Sequence, residues 1–122
     1  MQMEYSAISI RPFIGAKDFL RSVDFYGELG FTQTVLSTKL SLLSRDQLGF
    51  YLQDAFLEEW INNTMVFLEI VQLETFYLQV LSLNLKARYP EVKISSIQHQ
   101  SWGKEFFLHD PSGILLHFGT FC

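Results

Sequence analysis

Apolar and polar positions along the chain fall into two runs built alike. Ala7–Ile14 is short, β-branched and apolar, with Pro12 inside it. A proline cannot donate to a ladder, so the strand predicted here lies at a sheet edge or leaves its own sheet near Pro12. Asp18 stands as N-cap of a helix running to Leu29, with Phe19, Val23 and Tyr26 on one face and Leu20 beside them. Gly30 stops it. Strands follow at Phe31–Thr38, Leu40–Ser44 and Leu48–Gln53, with Arg45-Asp46-Gln47 as the tight turn between the last two. Residues 54–63 (DAFLEEWINN) keep no clean period and read as a connector.

The pattern then restarts. Thr64–Val71 predicts a strand. Leu73–Arg88 predicts a helix whose inward face carries Leu73, Phe76 or Tyr77, Val80 or Leu81, and Leu85, with Pro90 closing it. Val92–Gln98, Glu105–Leu108 and Ile114–Phe118 predict three more strands. Each half reads β-α-β-β-β, and RDQLGFYL (45–52) lies against HDPSGILL (109–116) as an Asp-initiated turn opening into an apolar strand. The fold class that follows is α+β: two βαβββ modules forming a curved mixed sheet around a groove. They are expected as a single domain over 1–122, with module one at about 6–54, the connector at 55–63 and module two at about 64–120. A half-curled sheet cannot cover its own concave face, so the halves close on each other or on a partner chain. The cleft enclosed between sheets is the natural ligand site.

Composition narrows the function. The chain is 48% hydrophobic and 18% charged, which is globular rather than disordered stock. Its aromatic share of 16%, from twelve Phe, five Tyr and two Trp, exceeds what a small core needs and points to a ligand groove or an oligomer interface. A net charge of −4 with no basic stripe argues against nucleic acid as partner and suits cationic small molecules. The single cysteine, Cys122, excludes an internal disulfide and any CxxC site. No stretch approaches the roughly 20 apolar residues of a membrane span, and no signal peptide is read at Met1–Tyr5, so cytoplasm is the expected compartment. Serines lack a GxSxG context and glycines are scattered, so neither a nucleophile elbow nor a phosphate loop is present.

Two segments carry a resemblance over almost the whole chain. AKDFLRSVDFYGELGF (16–31) is similar to the Asp–helix–Phe-Tyr–Leu-Gly-Phe signature of the glyoxalase/bleomycin-resistance/extradiol-dioxygenase (vicinal oxygen chelate) superfamily, and HDPSGILLHF (109–118) to its closing turn and strand. The finer resemblance is to the bleomycin-resistance branch. RPFIGAKD keeps a proline six residues before the capping aspartate, where those proteins hand their first strand to a partner subunit, which marks Pro12 as the strand-exchange position. SWGKEFFLHDPSGILLHF matches their Trp-Gly-Arg-Glu-Phe…Asp-Pro-x-Gly…His-Phe segment, and His117 stands where the enzyme branches carry a metal-binding Glu. The enzymes' other ligand positions map near Ser9–Arg11, Tyr51–Gln53 and Met65. Of these positions only His117 and Gln53 offer donors, short of the three or four a stable site needs. No metal and no other cofactor is therefore expected.

The resemblance implies a metal-free small-molecule-binding protein of the bleomycin-resistance type, a homodimer sequestering a flat or cationic ligand in a groove at the dimer interface, with antibiotic resistance as its role. The alternative is a metal-dependent lyase, isomerase or dioxygenase using a reduced ligand set that includes His117; whether the chain is an enzyme stays open, leaning against. A third reading is a scaffold or regulatory dimer. Candidate ligand-binding residues are Trp102 as aromatic wall, Phe67, His117, Glu69 and Trp60; no catalytic residue is assigned. Each has a plainer alternative. Trp102 closes a core edge, Phe67 is core, Trp60 packs at the solvent edge of the connector, His117 hydrogen-bonds across the sheet, and Glu69 is an exposed strand end. His117 points into the groove if Leu116 and Phe118 pack under the helices. Glu105 reads as a local pair or loop cap, Arg11 as an inter-subunit salt bridge or ligand contact, His109 as turn chemistry and His99 as a solvated loop residue.

Overall fold

The computed structural model describes residues 2–122. In chain order the elements are β1 (Phe13–Gly15), α1 (Phe19–Glu28), β2 (Thr32–Ser37), β3 (Leu40–Arg45), β4 (Leu48–Gln53), α2 (Glu58–Asn62), β5 (Met65–Glu69), α3 (Leu73–Ser82), α4 (Leu85–Arg88), β6 (Lys93–Ile94), β7 (Gln98–Gln100), β8 (Gly103–His109) and β9 (Leu115–Phe121). They form two mixed sheets, one ordered β1-β4-β3-β2 and one ordered β5-β9-β8-β6 with β7 also on β8. In both sheets the module's first strand runs parallel to its last, and the strands between pair antiparallel. The α+β fold of two βαβββ modules is thus present, as two sheets rather than one continuous one. No helix among the described residues is long and apolar enough to cross a membrane.

Strand alternation decides what is inside. In the first sheet Ile14, Leu43, Phe50 and Leu52 turn toward the helices and are buried; in the second, Phe106, Leu108, Leu116 and Phe118 do so. Phe76 and Tyr77 of α3 pack their rings on Phe106, and Phe76 also packs on Phe118. Burying a side chain of this size contributes about 1.5–3 kcal/mol. These residues and the buried face of α1 belong to one apolar cluster. Among the described residues the opposite face of the second sheet receives no helix, while α2 brings Ile61 against Gly15 at the end of β1.

Asp18 caps α1 as expected, its carboxylate accepting from the Arg21 N–H at 3.2 Å. The buried face of α1 is Phe19, Ser22, Phe25 and Tyr26, while Leu20 is 71% exposed rather than part of it. A 3.6-residue repeat through Phe19, Ser22 and Tyr26 leaves Leu20 on the solvent side. The second long helix is broken where one was expected over 73–88: Asn84 adopts φ +51°, separating α3 from α4. Asparagine tolerates this left-handed geometry, and the break keeps Leu85 and Tyr89 buried. Leu81, offered as an alternative inward residue, is exposed. The strand expected over Val92–Gln98 is split into β6 and β7, where Ser95 exchanges hydrogen bonds with Phe107. His99 lies in β7 opposite Lys104, exposed, rather than in a loop.

The largest departure is at the start of the chain. Of the strand expected over Ala7–Ile14, only the end is paired, and β1 begins after Pro12. The Pro12 carbonyl accepts from the Tyr51 N–H at 2.9 Å, but proline has no N–H to return. Residues 2–12 belong to no strand, and Ile8 and Ile10 are 98% and 96% exposed.

The two signature segments meet in the interior. The Tyr26 hydroxyl of α1 donates to Asp110 Oδ2 at 2.6 Å, and Asp110 Oδ1 accepts from the backbone N–H of Ser112, Gly113 and Ile114 at 2.8–2.9 Å. Ser112 Oγ accepts from the Lys17 N–H at 2.8 Å. Burial pushes the Tyr26 hydroxyl well above its ordinary pKa, reinforced by the Asp110 charge. Burial also raises Asp110, against the hydrogen bonds from Tyr26 and the turn, which pull the other way. Gly113 takes φ +106° to close this turn.

Candidate functional site

The helix-free face of the second sheet is built by the odd-numbered residues of β5, β8 and β9. Register places Phe67 and Phe107 on either side of His117, and Gly119 between Glu69 and Glu105. Because Leu116 and Phe118 are buried on the helix side, His117 falls on this opposite face. Phe67 rests on Gly119, where a Cβ would come within 2.7 Å of the ring. Gly119 is therefore what seats that aromatic.

Three rings gather at one end. The centroids of Phe67 and Trp102 are 5.9 Å apart, those of Trp102 and Phe121 5.2 Å, and those of Phe67 and Phe121 5.8 Å. Phe67 is 43% and Phe121 55% exposed, so the cluster is a surface and not a core. Trp102 is carried into it by the close pairing of Gly103 with the end of β9. A side chain at Gly103 would collide with the Thr120 carbonyl, and the Trp102 carbonyl accepts from the Cys122 N–H at 3.0 Å. Rings in these offset and edge-to-face arrangements present both faces and edges to a flat ligand.

A polar pair adjoins the rings. His117 Nδ1 lies 3.0 Å from Glu105 Oε1, and Gln100 Nε2 donates to Glu105 Oε2 at 3.3 Å. The Phe107 ring stands edge-on to the imidazole at 4.9 Å, and Phe67 stacks on its other side at 6.3 Å. The Glu105 carboxylate holds Nδ1, one of the two ring nitrogens. Glu105 is 7% exposed, a carboxylate kept on a sheet interior by this partnership.

Of the residues expected from sequence, Trp102, Phe67 and His117 converge here. Glu69 is the exposed last residue of β5 on the same side of its strand as Phe67, with no side-chain hydrogen-bond partner among the described residues. Trp60 lies apart: it sits on α2, 63% exposed, and makes no ring contact with this cluster. Its backbone carbonyl accepts from Thr64 Oγ1 instead. Phe121 and Phe107 were not singled out from sequence; Glu105, read as a local pair or loop cap, does pair locally with Gln100, and it also receives His117, whose alternative reading was a hydrogen bond across the sheet. Phe121 extends the alternation Phe67-like face by two residues past Gly119, a signal present in the strand pattern of the last residues.

A separate concavity of about 430 Å³ lies between the two sheets. It is lined mainly by apolar side chains, among them Ile10, Tyr26, Phe50, Leu68 and Phe118. The groove expected between the sheets and the cluster of expected site residues are thus different places, sharing Phe67 and Glu69 but not Trp102 or His117. The sequence pattern could not separate them, because alternation assigns residues to faces without saying which faces meet.

Among the described residues no three His, Cys, Asp or Glu side chains converge to hold a metal ion. His117 and Glu105 supply two donors, and Glu105 is already engaged by Gln100. Within one chain this donor set does not fit a catalytic divalent metal of the superfamily's enzymes.

No protein-family model matches the sequence, and no curated protein matches it either. Solved structures do. A bleomycin-binding protein complexed with bleomycin is 25% identical, covers 92% of this chain and 97% of its own, and superposes with a TM-score of 0.77. A bleomycin-binding protein from bleomycin-producing Streptomyces verticillus, complexed with copper(II)-bleomycin, is 17% identical over 96% and 98% of the two chains, with a TM-score of 0.80. A genomically encoded fosfomycin resistance protein from Listeria monocytogenes, complexed with manganese(II) and sulfate, is 11% identical over 98% and 93%, with a TM-score of 0.72. The structural neighbours are thus bleomycin-binding and bleomycin-resistance proteins together with other members of the glyoxalase superfamily, and the fold is theirs.

Proposed function

We propose that this chain is a small-molecule-binding protein of the bleomycin-resistance type, which sequesters a flat or cationic compound without chemical change. The observation that carries the reading is the open triad of Phe67, Trp102 and Phe121 beside the His117–Glu105 pair. Exposed rings give stacking area at low entropic cost, and the Glu105 and Glu69 carboxylates favour a cation near them.

The proposal includes a homodimer with exchanged N-terminal arms. Met3, Tyr5, Ile8 and Ile10 are all more than three-quarters exposed, and β5 pairs on one edge only. An exposed apolar segment and an open strand edge suit one another across two copies. The outer faces of the two sheets then meet across the interface and enclose the ligand. Sedimentation of the full chain and of a form lacking residues 2–10 tests this: a dimer that becomes a folded monomer supports arm exchange, and unchanged dimers overturn it.

Isothermal titration with bleomycin, using metal-stripped protein and Trp102→Ala beside it, tests the ligand reading. Saturable binding, weakened about tenfold or more in the variant, is the expected result for a central aromatic contact. Absence of heat with the parent protein sinks the bleomycin-type assignment.

A further inference from the structure

The outer face of the first sheet carries chemistry of the opposite sign. Phe13 pairs with Tyr51 in the parallel β1–β4 register, which places Arg11 alongside Gly49 two residues earlier. Gly49 has no side chain, so the Arg11 side chain lies down over it: a Cβ there would stand 3.5 Å from the guanidinium Nε. Arg11 Nη1 donates to the Tyr51 hydroxyl at 3.4 Å, and the Phe13 and Tyr51 rings stack with centroids 4.8 Å apart. Phe13 is 58% exposed, so this ring pair is open to solvent next to the guanidinium.

Arg21 pairs with Glu91, Arg88 with Glu28 and Lys104 with Glu74, whereas Arg11, like Arg45 and the remaining lysines, has no carboxylate within ion-pair distance among the described residues. Its Nε is shielded from water and, among the described residues, has no acceptor. A buried donor left unmade is costly, and native structures satisfy nearly all of them. A guanidinium held flat by a glycine, next to a phenol whose proton remains free to donate, is a fork for a planar oxyanion. The adjoining exposed rings read a flat apolar body.

We propose that Arg11, Tyr51 and Phe13 form a subsite for the carboxylate of a flat aromatic compound. This deepens the reading of the chain as a binder of flat small molecules and rests on it. It assigns such ligands an anionic end, read by module one, in addition to the surface read by Trp102 and Phe67.

The test titrates the full chain with 2-naphthoate and with its uncharged analogue 2-naphthamide, and adds bleomycin as a separate probe. Naphthoate is expected to bind about tenfold or more tightly than the amide, as for a hydrogen-bonded charge pair. Arg11→Gln removes that preference, Arg11→Lys restores part of it, and Tyr51→Phe lowers naphthoate affinity by a smaller factor. Equal affinity of acid and amide for the parent chain overturns the proposal, as does a preference that survives in Arg11→Gln. So does dissociation of a dimer by Arg11→Gln with naphthoate affinity unmoved, which makes Arg11 an inter-subunit contact. Bleomycin binding without an acid preference sinks this subsite alone; an Arg11-dependent acid preference without bleomycin binding sinks the bleomycin-type reading alone.

Discussion

The two modules share a strand order and divide the work differently, as their Asp-initiated turns show. Asp46, between β3 and β4, is exposed and takes φ +55° in a hairpin where Arg45 faces Leu48. Asp110, at the equivalent place between β8 and β9, is 1% exposed and accepts four hydrogen bonds, one of them from Tyr26 in the other module. The extra length of Pro111-Ser112-Gly113 lets the second turn fold inward around its aspartate, where the first merely reverses the chain. One copy of the motif solves a local turn; the other ties the modules together.

The outer faces diverge in the same way. In module two, strands of seven residues seat an aromatic triad and a His–Glu pair. In module one, the first strand is three residues long and the apolar segment before it is unpaired. Repetition of topology therefore does not repeat the outer surface, because what each face holds depends on side chains that the fold leaves free.

The sharpest way to break this comparison is Asp110→Ala. It strands the Tyr26 hydroxyl and the Ser112 and Ile114 N–H groups, the Gly113 N–H keeping the Asp110 carbonyl, and should cost more than about 3 kcal/mol in urea unfolding, each unmade buried bond costing about 1–3 kcal/mol. Tyr26→Phe comes next, at about 1–3 kcal/mol, since it removes one bond and leaves the turn intact. It also changes the alkaline limb. Tyr26 is raised well above its ordinary value in the fold, so above about pH 10 the unfolded chain releases a proton that the folded chain retains. Stability contributed by this group is present below that pH and is lost as pH rises further. Urea midpoints measured from pH 8 upward should fall more steeply for the parent than for Tyr26→Phe.

On the outer face the expected effects are smaller in stability and specific to binding. Phe67→Ala should weaken bleomycin binding about tenfold while changing stability by less than the interior variants, because this ring is 43% exposed. Calorimetric titration beside thermal unfolding separates the two effects. The smallest change is expected for Asp46→Gly, within about 1 kcal/mol and with either sign, since glycine accepts positive φ but loosens the unfolded chain. A large loss there would show that the two turns are more alike than their burial implies.

Much of this organisation was legible in the chain. Alternation around Leu116 and Phe118 put His117 on the other face, and the capping Asp18 and the Trp-Gly segment located α1 and the approach to β8. What stayed open was which of two readings each residue takes. His117 was offered either a ligand or a hydrogen bond across the sheet, but its partner Glu105 could not be named, and Trp60 was offered the groove or the solvent edge, because composition cannot show that α2 sits away from the ring cluster. The segment Ala7–Ile14 has the composition of a strand, but a strand needs an edge, and Pro12 separates the apolar residues from the one they could join in this chain.

Local rules were enough to determine the two βαβββ modules: period-2 and period-3.6 patterns, caps and turn residues act over a few positions and need no distant partner. Only the tertiary structure decided that the two resemblance segments meet as Tyr26 and Asp110, that Phe67, Trp102 and Phe121 form one surface, and that Arg11 lies over Gly49 beside Tyr51. These depend on register between strands far apart in sequence and on which sheet faces the helices cover. Neither is set by any single segment, because burial is a property of the whole chain's packing.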